Sequence, residues 1–117
     1  MTTVLYGLAD GVATITLNRP AKKNAFNPEM LCRLCDAWDM VDADDDVRAV
    51  ILTGSGGHFS AGADLDRLVG ALMSGAPAEN EFEERLRADI GLIYKGFLKE
   101  HRPATPVIAA VEGYCYA

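Results

Sequence analysis

The sequence predicts an α/β fold that opens with an antiparallel hairpin and continues as helices alternating with parallel strands. Three observations carry this. Two β-branched-rich runs, Val4–Ala9 and Val12–Leu17, flank Asp10-Gly11, a dipeptide whose positive backbone angles suit a two-residue hairpin turn. Two further apolar runs, residues 47–53 and 107–111, have the length and composition of strands. Segments of helical period lie between them, which predicts right-handed crossovers and parallel pairing.

The elements follow in order. After the hairpin, the polar, proline-bearing stretch 18–26 leads into Asn27-Pro28, an N-cap followed by proline at the first helical position. Leu31, Leu34, Cys35, Trp38 and Val41 then recur at helical spacing as one apolar stripe, which the acidic run 42–46 ends. Residues 47–53 form a central strand, and a helix is expected to begin near Gly62. The polar segment 73–81 is expected to be mobile. One long helix should carry Phe82, Leu86, Ile90, Ile93 and Phe97 on a single face until residues 101–106 break it and feed the strand 107–111.

Composition bounds the function. The 117 residues are enough to bury one core, and no repeat, low-complexity tract or linker divides them. A net charge of −6 disfavours nucleic acid and anionic membrane as partners, since either calls for a basic face. No apolar run has the length of a membrane span, and the start lacks the layout of a signal peptide, so a cytoplasmic location is expected. The odd count of three cysteines then implies reduced thiols.

The glycine-rich stretch from Gly54 to Leu65, directly after a buried strand, is where chemistry is expected. Such a turn aims backbone N–H groups into one small volume that suits an oxyanion or a phosphate. A second turn begins at Glu112-Gly113, and parallel pairing brings both turns to the carboxyl ends of their strands, where α/β sheets bind ligands. An N–H near Gly62-Ala63 and another from just past Ala117 could then converge on one oxygen.

Competing chemistries fail on spacing. The phosphate-loop lysine is missing after Gly62, and Phe59 stands where a dinucleotide fingerprint needs glycine. A nucleophile elbow at Ser60 would need glycine at His58, so Ser60 reads as a turn residue. Cys32 and Cys35 lie in mid-helix, where core packing explains them better than redox or metal chemistry. His58 and His101 have no companions at metal-ligand spacing. Asp64, at the opening of a helix, reads equally as a first-turn carboxylate or a catalytic one.

Four pieces in order carry a resemblance. Asn18-Arg19-Pro20 with Asn24-Ala25-Phe26, Val50 to Gly54, Phe59 to Leu65, and Pro106 to Tyr114 together resemble the crotonase family, the enoyl-CoA hydratase/isomerase superfamily. The resemblance implies a crotonase-like fold of repeated ββα units, of which residues 1–117 are the N-terminal part, cut before the second glycine turn. It implies an acyl-CoA thioester whose carbonyl oxygen is held by two backbone N–H groups while an enolate-like intermediate forms. The first donor matches Ala63, and the second falls beyond Ala117. Contacts to coenzyme A match the Lys23-Asn24-Ala25 region and the turn holding Ala61, Ala63, Asp64, Leu65 and Asp66. Lys22 or Lys23 could meet its phosphates, although a solvated loop charge explains either lysine as well.

No separate cofactor is implied, because coenzyme A enters as part of the substrate. Hydration of a 2-enoyl-CoA is the default reaction, with isomerisation, thioester hydrolysis and decarboxylation as variants, and the complete protein is expected to form trimers or pairs of trimers. The family's acid/base glutamates are not carried onto Glu112 or any other residue here, so the 117-residue chain alone is expected to be inactive. The alternative reading is a catalytically incomplete fragment that binds coenzyme A or serves in assembly.

Overall fold

The computed structural model describes residues 2–99 and 101–116. Strands β1 (Val4–Ala9) and β2 (Val12–Leu17) pair antiparallel through Asp10-Gly11, with Val4 opposite Leu17 and Ala9 opposite Val12. Asp10 and Gly11 both take positive φ, as the expected turn requires. Strand β3 (Ala49–Gly54) lies parallel to β2, and β4 (Val107–Ala110) parallel to β3, giving one sheet in the order β1-β2-β3-β4.

Helix α1 (Pro28–Ala43) crosses one face of this sheet. Asn27 caps it by accepting the Met30 N–H at 2.9 Å, and Pro28 fills the first position, where its missing N–H costs nothing. The expected stripe is buried: Leu31, Leu34, Cys35, Trp38 and Val41 pack with Ala13, Ile15, Leu17 and Val50. On the outer side, Asp36, Asp39 and Asp42 recur every third residue. They meet Arg85, Lys95 and the His101 ring respectively.

The expected single helix over 82–97 is corrected: α3 (Glu81–Ala88) and α4 (Gly91–Gly96) are separate helices. The break has a local cause. The Asp89 carboxylate accepts the Gly91 N–H at 3.1 Å, a side-chain bond that competes with the helical ladder, and glycine at 91 is itself a poor helix former. Ile90 is accordingly exposed, while Leu86 and Leu92 bury.

The start of the preceding helix is corrected as well. A π-helical turn, Leu65–Val69, runs into helix α2 (Gly70–Met73), so helical structure begins at Leu65 rather than near Gly62. The segment 74–80 has no regular structure, yet Arg67 pairs with Glu79 at 3.2 Å and the Ala76 carbonyl accepts from Arg87 at 2.7 Å. No described helix is long and apolar enough to cross a membrane.

Cys32 and Cys35 are core residues whose thiols face the carbonyls of Phe82 and Leu92, at 3.6 and 3.2 Å. Burial pushes the Cys35 thiol up to about 11, with the neighbouring Cys32 adding to the rise. A thiol so reluctant to ionise is a packing group.

Candidate functional site

The site forms where β3 gives way to the glycine-rich turn. Gly54 ends β3 against the Asn24 side chain and the carbonyls of His58 and Phe59, so closely that a Cβ would find no room. Asn24 is fully buried with φ +57, a left-handed conformation that Asn tolerates better than most residues. Its Oδ1 accepts the Arg19 N–H at 2.7 Å, and its Nδ2 donates to the carbonyls of Ser55 at 2.9 Å and His58 at 2.8 Å. The loop 18–26 and the turn 54–60 are thereby one unit.

Ser60 extends the unit. Its hydroxyl donates to the Asn24 carbonyl at 2.8 Å and accepts the Gly62 N–H at 3.0 Å. Gly62 takes φ +91, a conformation open to glycine at little cost. Its carbonyl accepts the Phe26 N–H at 2.8 Å, and the Phe26 carbonyl accepts the Asp64 N–H at 2.9 Å, a short parallel bridge centred on Phe26 and Ala63. In a trans peptide the C=O and the following N–H point in opposite directions. With the Gly62 carbonyl directed at Phe26, the Ala63 N–H is turned away from Phe26, and among the described residues no acceptor meets it.

Asp64 anchors the other side of this peptide. Its Oδ1 accepts the N–H groups of Asp66 at 3.1 Å and Arg67 at 3.0 Å, which caps the helical turn. Its Oδ2 receives Arg19 Nη1 at 2.7 Å, and the same guanidinium nitrogen donates to the Ala25 carbonyl at 3.0 Å. Burial works to raise the Asp64 carboxyl pKa, but the Arg67 N–H, the Arg19 guanidinium and the Asp66 N–H together outweigh it and hold the group below the ordinary carboxylate value. With both oxygens engaged, Asp64 is an ionised cap and anchor.

These residues line an open cavity of about 480 Å³ formed by Arg19, Lys22, Ala25, Ala61, Ala63, Asp64, Leu65, Asp66 and Arg67. Of the residues matched from the sequence, Lys22, Ala25, Ala61, Ala63, Asp64, Leu65 and Asp66 therefore meet at one place. Lys23 does not line it; its ammonium sits 4.7 Å from the centre of the Tyr114 ring. Arg67 was not anticipated. Its nearest sequence signal is its place three residues after a capping aspartate, inside the first helical turn.

The second turn lies beside the first, as parallel pairing requires. The Phe59 and Ser60 N–H groups donate to the carbonyls of Glu112 and Tyr114, at 2.7 and 2.9 Å, and the Tyr116 N–H returns to the Ser60 carbonyl at 3.0 Å. The Tyr114 N–H donates to His58 Nδ1 at 3.0 Å, which leaves Nε2 to carry the proton of the neutral ring. The expected second amide donor lies outside the described residues.

An unpaired backbone N–H beside a cavity lined by Arg19, Lys22 and Arg67 can donate to an oxygen that gains negative charge; of these cations, Arg19 is committed to Asp64 and Arg67 pairs with Glu79. Ser60 is 2% exposed with its hydroxyl engaged on both sides, which excludes it as a nucleophile in this arrangement.

The enoyl-CoA hydratase/isomerase family model matches residues 7–117. The enoyl-CoA hydratase EchA19 of Mycobacterium tuberculosis is 40% identical over 99 residues, which cover 85% of this chain and 35% of that protein. The 4-chlorobenzoyl coenzyme A dehalogenase-2 of an Arthrobacter species is 37% identical over 105 residues, 89% of this chain and 36% of its own length. The crystal structure of a probable enoyl-CoA hydratase/isomerase from Mycobacterium abscessus superposes with a TM-score of 0.73 at 36% identity, covering 97% of this chain and 38% of that one. The chain thus spans little more than a third of the length of these relatives. With its mixed sheet opening on an antiparallel hairpin and its sequence matched from residue 7 onward, this chain belongs to the enoyl-CoA hydratase/isomerase family and carries the N-terminal part of the crotonase fold.

Proposed function

We propose that this chain binds an acyl-CoA thioester, with the Ala63 N–H as one donor to the thioester oxygen and the cavity around it receiving the coenzyme A portion. The observation that supports this most is the Ala63 amide itself, held in a peptide pinned at the Gly62 carbonyl and left without an acceptor among the described residues. Lys22 at the rim supplies a cation for phosphate, with Arg67 a second on exchanging Glu79 for it, while Ala25, Ala61 and Ala63 leave the approach to the backbone free of bulk. Relatives named as a hydratase and as a dehalogenase both carry coenzyme A in their names, which favours a shared thioester grip with variable chemistry downstream. Hydration of a 2-enoyl-CoA is the default reaction.

One oxyanion donor is worth roughly 10²–10³ in rate, so a site offering the Ala63 amide alone is expected to bind without appreciable turnover. A complete enzyme would be a cytoplasmic homo-oligomer of the trimeric kind. The second reading, an incomplete fragment that binds coenzyme A or serves in assembly, is favoured by the exposed apolar side chains Ile108, Val111 and Tyr116.

Calorimetric titration with butyryl-CoA tests the binding reading. Saturable binding is expected in the native chain, weakened about fivefold or more by Ala63→Pro, which deletes the donor. Equal affinity in both would overturn the assignment of Ala63.

A further inference from the structure

We infer that Ser60 is a positioning residue for the thioester oxygen, acting through Gly62 on the Ala63 amide without touching the ligand; this deepens the proposed function and rests on it. Ser60 does not line the cavity, so its effect must pass through its neighbours. Its 2%-exposed hydroxyl bridges two backbones, donating to the Asn24 carbonyl and accepting the Gly62 N–H. Gly62 sits at φ +91, where rotation about its backbone bonds is open in most directions, and the plane of the Gly62–Ala63 peptide sets the direction of the Ala63 N–H.

Two bonds bracket the Gly62 Cα: Ser60 Oγ holds the preceding Ala61–Gly62 peptide through the Gly62 N–H, and the Phe26 N–H holds the Gly62–Ala63 peptide through the Gly62 carbonyl, so together they set the turn at Gly62 that aims the Ala63 N–H. Removing the first leaves a glycine hinge restrained at one end. Ser60 also pairs with the second turn, through its N–H to Tyr114 and its carbonyl to the Tyr116 N–H. One residue thus fixes the Ala63 peptide relative to both the loop 18–26 and the segment that leads to position 117.

The test compares butyryl-CoA with S-butyl-CoA, a thioether that keeps the coenzyme and the chain but lacks the carbonyl oxygen. In the native chain the thioester should bind about fivefold more tightly than the thioether, the worth of one hydrogen bond. In Ser60→Ala the ratio should fall below about twofold, with the thioether affinity unchanged. A merely structural role would weaken both ligands equally and leave the ratio intact, which would overturn the inference while sparing Ala63. A native ratio near one would overturn the thioester reading and this inference with it.

A second measurement needs no variant. In the native chain the Gly62 amide should exchange with solvent far more slowly than the Ala63 amide. Exchange of Gly62 at the rate of an unstructured peptide would overturn the inference even if Ser60→Ala failed to fold.

Discussion

The body of the molecule around β2 and α1 and its margin at β4 are written in the same residue types, yet they differ sharply in burial. Ile15 and Val50 are 0% exposed, whereas Ile108 and Val111 are 59% and 50% exposed. The hairpin of β1 with β2 and the parallel pairing of β3 with β4 are as expected, so pairing follows from local pattern, while burial follows from what crosses the sheet. Helix α1 covers β2, and among the described residues nothing of that kind covers β4. The candidate site lies at the seam: Asn24 and Phe26 hold the Ala63 turn from the body side, and Glu112 and Tyr114 hold it from the margin.

The largest expected contrast between the two regions is chemical. Cys115 is exposed on the margin, while Cys32 and Cys35 are buried in the body and Cys35 is pushed up to about 11. Iodoacetamide on the folded chain should label Cys115 roughly a hundredfold faster than either body thiol, as read by mass spectrometry of tryptic peptides. Equal labelling would mean that the body opens as readily as the margin.

Next comes the cost of truncation. Ile15→Ala should cost about 3 kcal/mol in urea unfolding, because the cavity it leaves is enclosed. Ile108→Ala should stay within about 0.5 kcal/mol. A large penalty at position 108 would break the comparison and point to association through the β4 face, which sedimentation would detect.

Asn24→Ala probes the seam. It strands the Ser55 and His58 carbonyls and the Arg19 N–H, and should cost about 2–3 kcal/mol. Unlike a core truncation, it should also disperse the Ala63 amide resonance.

The smallest expected effect concerns acid. The Asp64 carboxyl titrates below its unfolded value, so its contribution is complete above about pH 4 and is lost as pH falls through the folded value. The native chain should therefore lose stability on acidification through that window, and Asp64→Asn should flatten the slope there while costing about 1–2 kcal/mol at neutral pH. An unchanged acid slope in Asp64→Asn would show that the Arg19 pair is idle.

Much of this architecture was legible in the residues. Asp10-Gly11, the Asn27-Pro28 cap and the Leu31 to Val41 stripe are local signals, and each acts within a few residues of itself. The split between α3 and α4 was hidden because the apolar period from Phe82 to Phe97 continues across it; the Asp89 side chain, not hydrophobicity, decides the break. Helical structure begins at Leu65 rather than near Gly62, with Asp64, expected at a helix opening, as its cap. At the site, the alanines and Asp64 followed from the resemblance, but the Asn24 and Ser60 network joins groups 31 to 36 positions apart, and such a knot has no periodic trace. Which of the two neighbouring lysines lines the cavity had no local signal either: Lys22 does, and Lys23 does not. The Lys23 cation finds the Tyr114 ring, a contact that only the packing of the second turn creates.

The most direct test of the central claim follows the Ala63 backbone amide in the 15N-labelled chain as butyryl-CoA is added. Its proton resonance should move strongly downfield and saturate with ligand, while amides of β1 stay still. An Ala63 signal that keeps its position at saturating ligand would contradict the account.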